Sequence, residues 1–169
     1  MKTLSSYWLA GLLVAGAATA AMAQESKVGY INTQRITSES GPAKAAQTKL
    51  EAEFSKRQKE LTDLQSSIKA MGEKFERDAP TLPESQRVNR QKELSDQNRE
   101  FQRKRREFEE DLNARRNEEL QQVLDKANKA VKVVAEGEKY DLVIQEAVYT
   151  SGKHDITDKV LKILNAGSK

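Results

Sequence analysis

Between Ala43 and Phe75 apolar side chains return at heptad spacings, at Ala43, Leu50, Phe54, Leu61, Leu64, Ile68, Met71 and Phe75, and only Gln47 and Arg57 interrupt the stripe. Steps of three and four residues keep one face of a helix apolar, so the stretch predicts a helix that lays its stripe against another helix. That helix must stop before Pro80, because proline lacks an amide proton and disfavours helix in the residue ahead of it. Pro80 and Pro83 stand close together, and Thr81-Leu82-Pro83-Glu84 has the T-x-x-E form of a capping box. A second helix is therefore expected to start there and run to about Ala135, roughly fifty residues and about 75 Å at about 1.5 Å per residue. The two helices make an antiparallel hairpin over residues 42–135, with its tip near 78–83.

The second helix has an uneven stripe. Leu94, Phe101 and Phe108 repeat at seven, but the alternate positions Gln91, Asn98 and Arg105 are polar. From Leu120 the pattern improves, through Leu124, Ala127, Val131 and Val134. The hairpin is thus expected to be tightly zipped near its base and looser towards its tip.

Shorter elements flank it. Lys27 to Asn32 is β-branched and aromatic and reads as a strand, followed by a helical turn around Gln34 to Ser38 and a boundary at Gly41-Pro42. Gly137 is expected to break the second helix; Tyr140 to Gln145 and Ala147 to Tyr149 then read as two short strands. Asp155 or Thr157 can cap a last helix carrying Ile156, Val160, Leu161, Ile163 and Leu164. Strands from both ends must meet in one small sheet, so 24–41 and 136–169 form a body into which the hairpin is inserted. The fold class is mainly α with a small β body. Three short strands and one short helix bury too little apolar surface to stand alone, so the body should oligomerise.

Composition sharpens this picture. Charged residues make up 33% of the 169 residues, and the hydrophobic 37% is inflated by the first segment. Residues 1–23 have the parts of a secretory signal: Lys2, an apolar run from Leu9 to Ala18, and Ala21-Met22-Ala23 as an A-x-A cleavage site. A membrane anchor would need about twenty apolar residues. The sequence has no cysteine, which removes disulfides, thiolate metal sites, cysteine nucleophiles and a lipoprotein anchor.

No residue constellation points to catalysis, a cofactor or a metal. His154 is the single histidine, in a Lys-His-Asp loop, and reads as a solvated loop residue. Neither a G-x-x-x-x-G-K-[ST] loop nor a G-x-G-x-x-G turn occurs. The many carboxylates lie on long exposed helices and read as solvated faces.

Charge distribution says more than net charge. Over 70–106 Lys and Arg outnumber Asp and Glu, ten to seven; beyond, Glu107, Glu109, Glu110, Asp111, Glu118, Glu119 and Asp125 face only Arg115 and Arg116. Arg103-Lys104-Arg105-Arg106 has the form of a phosphate-contacting cluster, but an exported chain does not meet nucleic acid. It reads either as a solvated face paired with Glu100, Glu107, Glu109 and Glu110, or as an attraction for an acidic client or anionic lipid headgroups.

With a signal segment, a strand, a long hairpin, then Ala114-Arg115-Arg116-Asn117-Glu118-Glu119, the strand Tyr140 to Ile144 and the ending Asp155 to Lys162, the chain resembles the Skp/OmpH family of periplasmic chaperones. The resemblance covers essentially the whole chain after residue 23 and is most specific at Lys27 to Asn32 and from about Asp111 to Lys162. It implies a homotrimer whose short strands build a β-barrel body, and three arms enclosing a cavity that holds unfolded outer-membrane β-barrel proteins without ATP. The arm residues that would supply a part-apolar, part-basic client surface are Met71, Phe75, Leu82, Arg87, Val88, Arg90, Leu94 and Phe101. A lipopolysaccharide patch described for some members would fall on Lys104 and Arg115, with Arg106 and Arg116 close by; a third expected basic place holds Ala114. The alternative to this holdase is a coiled-coil spacer tethering envelope layers, which would prefer a continuous seam and an anchor.

Overall fold

A computed structural model describes residues 26–167 of the chain; the expected signal segment lies outside these residues. In chain order the elements are β1 (Val28–Tyr30), α1 (Thr33–Glu39), α2 (Gly41–Asp78), a 3-10 turn (Ala79–Thr81), α3 (Glu84–Glu138), β2 (Leu142–Ile144), a second 3-10 turn (Gly152–His154) and α4 (Thr157–Ala166). β1 and β2 pair in parallel, Val28 opposite Leu142 and Tyr30 opposite Ile144. The chain ends therefore meet in one sheet, and the α2–α3 hairpin stands between them.

Each long helix starts where local chemistry allows. Ser40, fully buried, accepts the Ala43 amide proton at 3.2 Å as the cap of α2, with Pro42 in the first turn. The capping box expected at Thr81 is not used. Leu82 precedes Pro83 and is held extended (φ −81°, ψ 142°), so Thr81 cannot stand next to a first helical turn. α3 begins two residues later, at Glu84, with Pro83 as its cap and no side-chain cap bond.

Gly137 does not break α3. The helix passes through it to Glu138 and ends at Lys139, whose φ of 58° is left-handed. There the Tyr140 amide donates to the Ala135 carbonyl at 2.9 Å and the Lys139 amide to that of Glu136 at 3.4 Å, the paired closure of a Schellman end. One glycine costs a helix about 1 kcal/mol, which the packing of the last turns outweighs.

Two apolar clusters hold the molecule. In the body, Ile31, Ile36, Ala127, Ala130, Val134, Ile156, Val160, Leu161 and Leu164 pack together, so the last turns of α3 belong to the body core. In the arm, Phe54, Leu61, Phe101 and Phe108 form the seam, with Leu50, Leu64, Ile68 and Leu112 half-buried against them. The Phe54 and Phe108 rings meet edge to face, centroids 5.7 Å apart.

Two further expectations are corrected here. The inward face of α3 near the base is Glu119, Val123, Ala127, Ala130 and Val134, one residue out of step with the expected Leu120, Leu124 and Val131, and Leu120 stays 45% exposed. The expected strand Ala147 to Tyr149 is not formed; Val148 and Tyr149 are exposed. β1 is already flanked by β2 on one side and by a bridge between Tyr30 and Asp155 on the other, which leaves that segment no free edge of β1 to join.

Neither expected cap of α4 caps it in the usual way. Asp155 Oδ1 accepts the Thr157 amide at 2.8 Å, while the buried Thr157 hydroxyl oxygen accepts the Asn32 amide at 2.9 Å and ties α4 to the end of β1. Thr157→Val keeps the shape and strands that amide, so it is expected to lower stability by about 1–3 kcal/mol; urea unfolding checks this, and an unchanged midpoint contradicts it.

Candidate functional site

The arm differs along its length. At its base α2 and α3 are joined by charge as well as by the aromatic seam. Glu119, with its side chain 7% exposed, receives Lys49 Nζ at 2.6 Å and Arg115 Nη2 at 2.8 Å. Arg115 also reaches Glu53 at 3.2 Å and Glu118 at 2.5 Å. Arg57, one of the two interruptions in the sequence stripe, is a working part of the seam: it bonds Asp111 at 2.7 Å and its guanidinium stands 5.8 Å from each of the Phe54 and Phe108 ring centres. Lys49, Glu53, Arg57 and Asp111 are joining residues that the apolar pattern could not reveal. Their signal was charge of opposite sign at four-residue steps on both helices.

Beyond Leu61 and Phe101 no residue of the arm is buried. Here four of the expected client residues come together: Met71, Phe75, Arg90 and Leu94, with Lys74 and Glu93, line a cavity of about 270 Å³. The three apolar members are half-buried, so each keeps surface to offer. Arg90 is turned to Asp78 at 3.2 Å, whereas Lys74 has no ion pair among the described residues. Leu82 is half-buried at the turn, Val88 is 52% exposed on the outer face of α3, and Arg87 pairs with Glu84. Phe101, by contrast, is buried in the seam and holds the helices together. A larger groove, about 650 Å³, lies elsewhere, at the arm base among Leu50, Phe54, Leu112, Leu120 and Arg116.

The basic cluster is mostly neutralised within its own helix. Arg103 bonds Glu100 and Glu107, each at 2.6 Å; Lys104 lies 3.9 Å from Glu100 and Arg105 3.5 Å from Glu109. Among the described residues only Arg106 of that run has no ion pair, as has Arg116 further along. Arg115 is committed to three carboxylates. Its guanidinium is held firmly protonated by its hydrogen bonds to Glu118 and Glu53.

His154 is not the solvated loop residue that the sequence suggests. It is half-buried, and its Nδ1 stands 3.0 Å from the Val28 carbonyl oxygen, so Nδ1 carries the proton and donates. The ring anchors the second 3-10 turn to β1. Among the described residues no group of three or more His, Asp or Glu is placed to hold a metal ion, and no helix is long and apolar enough to cross a membrane.

Comparison with known proteins agrees with this architecture. The family model described as "Outer membrane protein (OmpH-like)" matches residues 27–164. The chain belongs to the OmpH family. Its relatives include two proteins named "Chaperone protein Skp": that of Photorhabdus luminescens is 34% identical over 161 residues, covering 94% of each chain, and that of Pectobacterium atrosepticum is 33% identical over 159 residues, covering 92% of this chain and 96% of the relative. The structure of an OmpH-like protein from Caulobacter crescentus superposes with a TM-score of 0.69 at 19% identity, over 84% of this chain and 85% of that one. That likeness shows the fold, which the two chains share over most of their lengths.

Acid tests the base of the arm. Lys49 first, and then the charges of Arg115 and Lys126, hold the Glu119 carboxyl below the usual carboxylate range; Lys159 does the same for Glu138 in the body. A carboxyl whose pKa is lower in the folded than in the unfolded chain contributes stability above its unfolded value, about 4.3, and loses it as pH falls through the folded value. Stability is therefore expected to be flat above about pH 5 and to fall below about pH 4. Glu119→Gln should unfold more easily at pH 7 and show a shallower acid limb, as read by circular dichroism across a pH series.

Proposed function

We propose that this chain is an ATP-independent periplasmic holdase, which keeps unfolded outer-membrane β-barrel proteins soluble in a space enclosed by the arms of three identical chains. The single observation that carries the reading is the distal cavity, where Met71, Phe75 and Leu94 present half-buried apolar surface beside Lys74 and Arg90. An unfolded membrane protein exposes short apolar stretches between polar ones, and many shallow part-apolar, part-cationic contacts bind such a chain without one deep pocket. Weak contacts in number also let it leave. The named Skp relatives support the chaperone class, and the leader-like residues 1–23 support export to the periplasm.

Self-association rests on the body. A two-stranded sheet is marginal by itself, and Leu142, Val148 and Tyr149 around it are exposed apolar side chains. Copies that bury these residues together gain what one chain lacks; a trimer with a shared barrel is the arrangement that the family resemblance implies. For lipopolysaccharide or another anionic surface, Arg106 and Arg116 are the cations without an ion pair among the described residues and Lys104 is held only loosely, 3.9 Å from Glu100, whereas Arg115 is engaged across the arm. The envelope-spacer reading is weaker, because a spacer gains nothing from a seam that opens over its outer half.

The test uses the chain without residues 1–23, nucleotide-free, with an outer-membrane protein diluted from urea. Light scattering is expected to be suppressed, and the complex should have the mass of three chains plus one client. Met71→Ser, Phe75→Ser and Leu94→Ser combined should leave the helix content intact and weaken suppression several-fold. A client that precipitates as fast as it does alone contradicts the chaperone reading, and full activity in the triple variant contradicts the assigned surface.

A further inference from the structure

Four ion pairs cross the arm: Lys49 with Glu119, Glu53 with Arg115, Arg57 with Asp111 and, next to the tip, Asp78 with Arg90. In every pair the two residue numbers have the same sum. All four therefore lie on one antiparallel register, from the base of the arm to its end, although no cross-arm ion pair falls between Arg57 and Asp78 among the described residues. The sign alternates as well, positive, negative, positive and negative along α2, with the complement on α3.

Heptad seams carry an inherent ambiguity. Sliding α3 by one heptad still brings an apolar pair to the seam, Leu61 with Phe108 in one sense and Phe54 with Phe101 in the other, so apolar packing alone discriminates incompletely between neighbouring registers. The charges add discrimination, more against one slide than the other. A slide in one sense sets Lys49 against Lys126, Glu53 against Gln122, Arg57 against Glu118 and Asp78 against Gln97. The opposite slide sets Lys49 against Leu112, Glu53 against Phe108, Arg57 against Lys104 and Asp78 against Pro83. Read from α3, the first slide also sets Glu119 against Lys56 and Arg115 against Glu60, so it keeps three attractive pairs, leaves Asp111 and Arg90 without a cross-arm partner and creates one repulsive pair; the second keeps none and also creates a repulsive pair.

We infer that Lys49, Glu53, Arg57 and Asp78 with their partners on α3 are positioning residues that select the register of the hairpin. Exposed ion pairs add little to stability one by one, but polar groups on a helical seam can choose among otherwise similar packings. Glu119, whose side chain is almost fully enclosed, selects against the second slide, which sets it against Pro42 and leaves it only Arg115 of its own helix. The register fixes which residues meet at the outer arm, Phe75 and Leu94 among them. The competing device is the turn itself, where Pro80 and Pro83 favour a bend at that place.

Cross-linking separates the two, and needs no client. The natural sequence has no cysteine, so Asp78→Cys with Arg90→Cys, joined by a short bis-maleimide, reports the native register, and Asp78→Cys with Gln97→Cys reports the slipped one. In each background Lys49→Glu with Asp111→Arg places like charges together in the native register and opposite charges together in the first slipped one. The native cross-link is expected to fall several-fold and the slipped one to appear. Adding Glu119→Lys and Arg57→Asp restores attraction in the native register and should restore its cross-link. A reversed variant with full helix content and an undiminished native cross-link overturns the inference in favour of the turn. If the reversed variant does not fold, the restored variant decides: native cross-linking supports the inference, and its absence overturns it.

Discussion

The antiparallel contact between α2 and α3 is the constraint on which everything else in this chain depends. A helix of 55 residues with charge on most of its surface cannot persist as an isolated rod on propensity alone, because most helical stability comes from burying one face. Here that face is narrow. Phe54, Leu61, Phe101 and Phe108 supply the dry part of the seam, and Lys49, Glu53 and Arg57 extend it at the base by pairing across the helices. The arm holds together because a few large side chains and a few charges agree on one alignment.

The same economy explains why the arm can be both rigid and receptive. Apolar residues of α2 continue past Leu61 as Leu64, Ile68, Met71 and Phe75, while α3 answers them with Asn98, Gln91 and other polar side chains. A stripe that one helix offers and the other only half fills leaves surface for something else. The body pays the structural debt by anchoring both ends of the hairpin: α3 runs into the core beside Ile156 and Val160, and Asn32 is tied to Thr157. A tight root under a loosely zipped outer arm fits the proposed holding of partners of many sequences.

Much of this was legible in the sequence, for reasons that differ from element to element. The hairpin, its tip and the meeting of strands from both ends in one sheet follow from heptad spacing, two prolines and short β-branched runs, which are strong local signals; the parallel sense of that pairing does not. Failures arose where local rules compete. Pro83 overrode the capping pattern at Thr81, and the Schellman closure at Lys139 outlasted the glycine two residues earlier. The face of α3 near the base was misjudged by one residue because Leu120 looks like core and Glu119 does not. Only the three-dimensional placing of Lys49 and Arg115 makes a carboxylate the inward residue. For the same reason Arg57 reads as an interruption in a list of apolar positions and as a bridge once Asp111 and the two phenylalanines surround it. Of the residues expected at the distal surface, Met71, Phe75, Arg90 and Leu94 converge, whereas Phe101 is spent on the seam and Val88 is exposed; their spacing alone could not show which would meet.

Amide hydrogen exchange, compared between the free protein and the protein loaded with an unfolded outer-membrane protein, tests the central claim most directly. In the free protein exchange should be slow around 54–61 and 101–123 and fast over 71–98, and loading should slow exchange chiefly in that outer stretch while the base stays as it was. Uniform protection along the free arm, or client-induced protection confined to the body, contradicts the account.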